Sequence, residues 1–234
     1  MPRRGHEREM IERALVLLYQ LFSQAPTLGS LIDPNNFTAG QIAADYETVQ
    51  PYVTAIFKTE KVDDEIRERA IAAAGMAKAA DLLAGEYTLV ITNVPYLGRG
   101  KQGDILKTHL EEFYSEGKAD LATGCLLRSL ECCGKSGTTA LVVPQACLYL
   151  PSFGNLRHTL LETRTWNLIA RLGPGAFETI TGQVVNVALA VMSAGRPTAS
   201  TEMAAVDVSD AGKAADKAVL LSDGSPGATT RLKQ

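Results

Sequence analysis

Residues 87–104 read YTLVITNVPYLGRGKQGD. Five β-favouring residues run into Asn93-Val94-Pro95-Tyr96, and glycine then takes three of the six positions 98–103. Aliphatic and β-branched side chains suit a pleated, buried strand, while proline and glycine close one. The stretch predicts a strand over 87–92 that carries a polar amide and an aromatic ring into a loop. The elements around it decide whether that loop is a turn or a site.

Those elements alternate. Helices are expected over 104–116 and about 119–132, followed by a strand over 138–143 (TTALVV). Pro151 and Ser152 open another helix, with Ser152 as its N-cap and Phe153, Leu156 and Leu160 on one face. Then come a strand over 166–171 (WNLIAR), a glycine-proline turn over 172–176 and a strand over 183–192 (QVVNVALAVM). Continuous apolar runs separated by helices predict an α/β fold with a mainly parallel sheet covered on both faces. The last two strands, joined without a helix, are expected to be antiparallel.

Upstream, apolar residues from Met10 to Phe22 form a helical stripe over 7–22 that Pro26 is expected to end. The segment TLGSLIDPNN reads as a brief strand or a loop, and the alanine-rich run over 61–84 as a helix stopped by Gly85. Beyond Ser193 the chain is rich in Ala, Ser, Gly, Thr and Asp, the composition of a weakly ordered tail.

At 234 residues and 46% hydrophobic, the chain can bury one sizeable core. It has no run of about 18 apolar residues, and MPRRGHERE leads into an amphipathic segment, so neither a membrane span nor a secretory signal is expected and the cytoplasm is the default location. Cys125, Cys132, Cys133 and Cys147 form no C-x-x-C pair, and with three histidines (His6, His109, His158) a metal site is not expected. A net charge of −3 argues against a surface wholly given to nucleic acid. Between Leu97 and Arg171, however, nine Lys/Arg face seven Asp/Glu, a balance compatible with a DNA-facing side. The Gly134-Lys135-Ser136 triplet lacks the first glycine of a phosphate loop and runs from helix to strand, the reverse of what such a loop requires, so it reads as a helix cap and turn.

The loop after strand 87–92 lies at the carboxyl end of a parallel strand, where open α/β sheets hold ligands. Asn-x-Pro-Tyr supplies an amide oxygen, backbone carbonyls turned outward by proline and a flat π face. Those groups can hold an exocyclic amine and a purine ring.

This stretch resembles the (N/D/S)-P-P-(Y/F/W) motif of the amino-methyltransferases that modify DNA. The resemblance continues through KADLATGCLLRSLECC, SGTTALVVP, SFGNLRHTLLE and LIARLGPGAFETITGQVVNVALAVM, covering about residues 27–192. It points to adenine-specific (N6) enzymes of the type IIG restriction and phage-exclusion kind. The fold implied is a partial Rossmann-like S-adenosylmethionine-dependent methyltransferase fold: the catalytic half of a mixed, mostly parallel sheet with flanking helices. The implied division is a helical segment and insertion over 1–86, the catalytic half over 87–193 and the tail over 194–234.

The resemblance also implies roles. Adenine N6 is a poor nucleophile because its lone pair is delocalised, so the base is flipped from double-stranded DNA and N6 is brought to the donor methyl. The Asn93 side-chain oxygen and the Val94 carbonyl would accept the two N6 hydrogens, Pro95 would hold the turn and Tyr96 would stack on the ring. Phe177 is the candidate for the second ring face, and Arg99 and Lys101 for contacts to the substrate DNA. Valine replaces the family's first proline at position 94, which keeps the carbonyl and loses some rigidity.

The family's D/N-P-A-C-G-S-G cofactor fingerprint and the following acidic G-x-D are absent, so only Ser30 and Leu31, in GSLID, are candidates to touch S-adenosylmethionine. The resemblance thus implies a catalytic-half fragment, inactive or nearly so alone, whose strand 87–92 exposes an unpaired edge and an apolar flank. Such an edge would await the cofactor-binding half or a second copy. Two other readings stay open: a non-catalytic DNA-binding or assembly subunit of the same fold, and a methyltransferase acting on a protein glutamine.

Overall fold

The computed structural model describes residues 19–36, 64–177, 185–222 and 229–234, together with Val16. The chain divides into two compact units, Met1–Gly85 and Glu86–Gln234.

In the first unit most of the helix expected over 7–22 lies outside the described residues, and Tyr19–Phe22 are helical. Pro26 does not simply end that helix. It lies in the first turn of a new one, α1 (Ala25–Leu28), where its missing N–H costs nothing. A 3₁₀ turn, Gly29–Leu31, follows directly, and Ile32 and Asp33 after it are irregular, so this segment holds helical turns and a loop and no strand. The alanine-rich run is α2 (Asp64–Ala84), with Ala77 and Ala80, three apart, buried on one side.

The second unit holds one six-stranded sheet. Its elements are β1 (Leu89–Asn93), α3 (Asp104–Phe113), α4 (Leu121–Cys132), β2 (Thr138–Pro144), α5 (Gly154–Thr163), β3 (Thr165–Gly173), β4 (Val187–Ser193), β5 (Glu202–Asp207), α6 (Ala214–Ser222) and β6 (Thr229–Lys233). The strand order is β1-β2-β4-β3-β5-β6. Strands β1 and β2 pair in parallel, as do β3 and β5, while β4 is antiparallel to both β2 and β3. β6 closes the far side antiparallel to β5. Four of the six strands therefore run one way, yet only two of the five neighbouring pairs are parallel, so the sheet is mixed, and the expected antiparallel β3–β4 pair is present.

Alternation along β2 sets the packing. Thr139, Leu141 and Val143 are buried, and Thr138, Ala140 and Val142 between them are half-buried. Helix α4 packs against β2 and β1. It also lies close on α3, because a Cβ at Gly124 would run into the Leu110 side chain, itself fully buried. Fully burying a leucine of this kind contributes roughly 1.5–3 kcal/mol. After α4, Gly134 turns the chain at φ +56, the left-handed conformation of a helix stop, as the reading of Gly-Lys-Ser as a cap requires.

Three expectations are corrected. Ser152 is not an N-cap: Pro151–Phe153 form a 3₁₀ turn, and α5 starts at Gly154 behind Phe153 with no side-chain cap. The region read as a weakly ordered tail contains β5, α6 and β6, and β5 joins the sheet beside β3. Its small side chains hid this, because alanines in EMAAVD suffice where neighbouring strands supply the bulk. The sheet is not covered throughout on both faces either. β1 pairs only with β2 among the described residues, and Leu89 and Ile91 on one of its faces are 53% and 71% exposed. Among the described residues the unpaired apolar edge expected at this strand is present.

Candidate active site

The carboxyl ends of β1, β2, β3 and β5 lie along one side of the sheet, and the NVPY loop leaves from there. Strand alternation continues into the loop. Asn93, the last residue of β1, is exposed, Val94 is buried, Pro95 is exposed and Tyr96 is half-buried. The Val94 side chain thus packs into the core and anchors the loop.

Asn93 and Tyr96 meet. The Tyr96 hydroxyl lies 3.3 Å from Asn93 Oδ1 and 3.3 Å from the Val142 carbonyl oxygen on β2. A phenol has one proton, so it donates to one of these acceptors at a time. Burial, then the nearby Asp120 carboxylate and Cys147 thiol, push the Tyr96 phenol from 10.0 up to about 12, which keeps it a neutral donor through the physiological range.

The chain after Tyr96 is held on both sides. Asp120 Oδ1 accepts from the Leu97 backbone N–H at 3.1 Å and from the Ala122 N–H at 2.9 Å, capping α4. The Leu97 carbonyl accepts from the Leu121 N–H at 3.0 Å and from Gln102 Nε2 at 3.0 Å. The Arg99 N–H donates to the Ala119 carbonyl at 3.0 Å. Residues 97–102 are therefore tied to the start of α4, and Gln102 is buried.

Phe177 lies at the margin of an apolar cluster of Ala170, Leu172, Val187 and Val208, and Tyr96 packs against the same cluster. Gly173 and Gly175, at φ +63 and +72, turn the chain between β3 and Phe177. The two aromatic candidates, from opposite ends of the motif series, thus border one patch.

The other candidates are placed differently. Arg99 pairs with Glu111, which also lies 3.9 Å from Lys118 Nζ, so its guanidinium is already engaged. Lys101 is exposed. Ser30 is exposed, whereas Leu31 is only 1% exposed and has no surface to offer a ligand. Much of the basic excess between Leu97 and Arg171 is internal. Arg128 is buried beside Glu131, Arg157 donates to the carbonyls of Cys147 and Leu150, and Arg164 donates to that of Ala194.

Sequence reasoning assigned no role to a polar row beyond the loop. The Gln145 amide oxygen accepts from Arg171 Nε at 2.9 Å and Nη2 at 3.2 Å, and Arg171 Nη1 donates to Asp207 Oδ2 at 2.8 Å. Ser209 donates to Asp207 through both hydroxyl and backbone N–H, and with Arg171 this draws the Asp207 carboxyl below its ordinary value. Lys217, 2% exposed, donates to the carbonyls of Val208 and Ser209. Asp120 falls within KADLATGCLLRSLECC, a stretch read only as part of the family resemblance.

All four cysteines are free. Burial raises the Cys125 thiol to about 11 and the Cys147 thiol to about 12, as expected of small buried side chains without redox chemistry. Among the described residues no cluster of His, Cys, Asp and Glu could hold a metal, and no helix is long and apolar enough to cross a membrane.

The second unit is thus a mixed α/β sheet of six strands with flanking helices. The solved structures agree on the fold. The ATP-dependent Type ISP restriction-modification enzyme LlaBIII bound to DNA superposes with a TM-score of 0.53 at 13% identity, over 74% of this chain and 13% of that one. A nuclease-deletion mutant of the Type ISP enzyme LlaGI, in complex with a DNA substrate mimic, gives 0.52 at 14% identity, over 82% and 22%.

Residues 10–177 match the Eco57I restriction-modification methylase family, and the chain belongs to it, among the adenine-specific DNA methyltransferases. It is similar to the adenine-specific methyltransferase BrxX of Escherichia coli O9:H4 (strain HS), with 30% identity over 176 residues, 74% of this chain and 14% of that protein. It is also similar to the adenine-specific methyltransferase PglX of Lacticaseibacillus casei (strain Zhang), with 31% identity over 112 residues, 47% of this chain and 9% of that protein. The chain therefore spans only a small part of the length of these relatives.

Proposed function

We propose that this chain forms the base-binding side of an adenine-N6 DNA methyltransferase. The observation that carries the reading is the contact between Asn93 and Tyr96 at the carboxyl end of β1, with Tyr96 and Phe177 bordering the same apolar cluster. A flipped adenine stacks on the Tyr96 ring, with Phe177 near its second face, and its N6 hydrogens are accepted by Asn93 Oδ1 and the Val94 carbonyl. The two hydrogen bonds draw N6 toward tetrahedral geometry and free its lone pair. Alignment of that lone pair is the contribution asked of these residues, and no general base is needed. Lys101, exposed just after the loop, is the cation available for the DNA backbone, whereas Arg99 must first leave Glu111.

The family uses S-adenosylmethionine as methyl donor. Of the two residues expected to touch it, Leu31 is buried and offers the donor no surface, which leaves Ser30, too little to hold that group. Little or no transfer is therefore expected from these residues alone.

Two measurements test the reading. A duplex carrying one 2-aminopurine opposite an abasic site presents an unpaired purine without the cost of flipping, and its fluorescence reports unstacking and capture. Binding that Asn93→Ala weakens about tenfold supports the pocket, and no response from the wild-type chain overturns it. Supplying this chain with the cofactor-binding half of a relative, tritiated S-adenosylmethionine and unmethylated DNA then separates substrates. Label in DNA adenine supports the reading, and label only in protein overturns it in favour of a glutamine substrate.

A further inference from the structure

We propose that Asp120 is a positioning residue for the base pocket, holding the NVPY loop in register through its hydrogen bond to the Leu97 N–H. This rests on the reading of Asn93–Tyr96 as the pocket and adds a residue 24 positions downstream of Tyr96 to it.

The geometry separates two tasks of one carboxylate. Oδ1 accepts from Ala122 N at 2.9 Å, the cap of α4, and from Leu97 N at 3.1 Å, a tether that spans 23 residues in sequence. The cap alone would be served by any short polar side chain. The tether needs reach. Leu97 is the residue directly after the stacking ring, and its carbonyl is pinned from the other side by Leu121 N and Gln102 Nε2. The isolated bridge between Gly98 and Asp120 continues the same seam. With both ends of the Leu97 peptide fixed to the start of α4, the Tyr96 ring has little freedom to swing from Asn93. Asp120 also lies close enough to the Tyr96 phenol to oppose its ionisation.

A side chain that only capped α4 would behave differently from one that also holds the loop, and two substitutions separate these. In Asp120→Asn the amide oxygen keeps both acceptor positions. In Asp120→Ser the hydroxyl caps the helix but falls short of Leu97. The positioning role predicts that Asp120→Ser binds the 2-aminopurine duplex about tenfold more weakly than wild type while melting within a few degrees of it, and that Asp120→Asn stays within about threefold. Amide exchange gives a ligand-free readout: Leu97 N–H loses protection in Asp120→Ser and keeps it in Asp120→Asn.

Equal binding by the serine and asparagine variants, or undiminished Leu97 protection in the serine variant, overturns the positioning role and leaves the pocket standing. A wild-type chain that gives no fluorescence response overturns the pocket, and the positioning role with it.

Discussion

The Tyr96 hydroxyl donates either to Asn93 Oδ1 or to the Val142 carbonyl, each 3.3 Å away. In the proposed pocket, the first choice occupies the oxygen that an adenine amine would need. The second frees it at no loss of hydrogen bonding, because one acceptor replaces another. A substrate amine can therefore enter without leaving the phenol unsatisfied, a cost of about 1–3 kcal/mol when a polar group is buried.

Tyr96→Phe keeps the ring and removes the competing donor. Its affinity for the 2-aminopurine duplex is expected to stay within about threefold of wild type. Tyr96→Ala removes the stacking face, worth about 1–3 kcal/mol per base, and is expected to weaken binding by tenfold or more. Titrating both variants by fluorescence separates ring from hydroxyl. A Phe variant as weak as the Ala variant would show that the hydroxyl itself contacts the base.

Alkaline pH should destabilise the second unit through one half-buried and two buried groups. Tyr96, Cys125 and Cys147 have folded pKa values raised to about 12, 11 and 12 from ordinary values of 10.0, 9.0 and 9.0. A raised value means that the folded state holds its proton more tightly than the unfolded chain. The neutral forms are common to both states below the unfolded values, so their stability is fully present there and is lost as pH rises through about 9 to 12. Thermal melts across that window should fall in midpoint, and Cys147→Ala should flatten the fall. A melting temperature that holds steady from pH 8 to 11 would falsify this.

The close packing of α3 on α4 gives a separate test. Adding a Cβ at Gly124 drives it into the fully buried Leu110 side chain. Overpacking of this kind costs about 1–3 kcal/mol, so Gly124→Ala should lower the midpoint of denaturant unfolding without changing its slope. Trimming the partner in Gly124→Ala with Leu110→Ala should be less harmful than the two single effects added. Strict additivity would mean that the two side chains do not touch in solution.

Strand β1, helices α3 and α4 and strands β2, β3 and β4 were legible because each is a periodic apolar run bounded by glycine or proline. The loop that brings Asn93 and Tyr96 together was legible because the two are close in sequence as well as in space. β5 was not, since Met203, Ala204, Ala205 and Val206 carry too little apolar bulk to announce a strand and rely on pairing with β3. Ser152 misled for a related reason: its sequence suits an N-cap, but the preceding proline favoured a 3₁₀ turn that moved the helix start to Gly154. The Asp120–Leu97 tether escaped because nothing local marks a hydrogen bond between residues 23 apart.

The open edge of β1 carries the last prediction. Ile91 is 71% exposed and Leu89 beside it on the same face is 53% exposed, on a strand with one hydrogen-bonded neighbour among the described residues. Unpaired backbone groups flanked by apolar side chains template further strand pairing, and an edge lysine suppresses it. Ile91→Lys therefore should leave the folded unit as stable as before, within about 0.5 kcal/mol, because little apolar surface is buried there. It should also lower the sedimentation coefficient of concentrated samples toward that of a single chain. A drop in melting temperature with no change in sedimentation would mean that Ile91 is packed within the chain in solution, and that the edge is already covered.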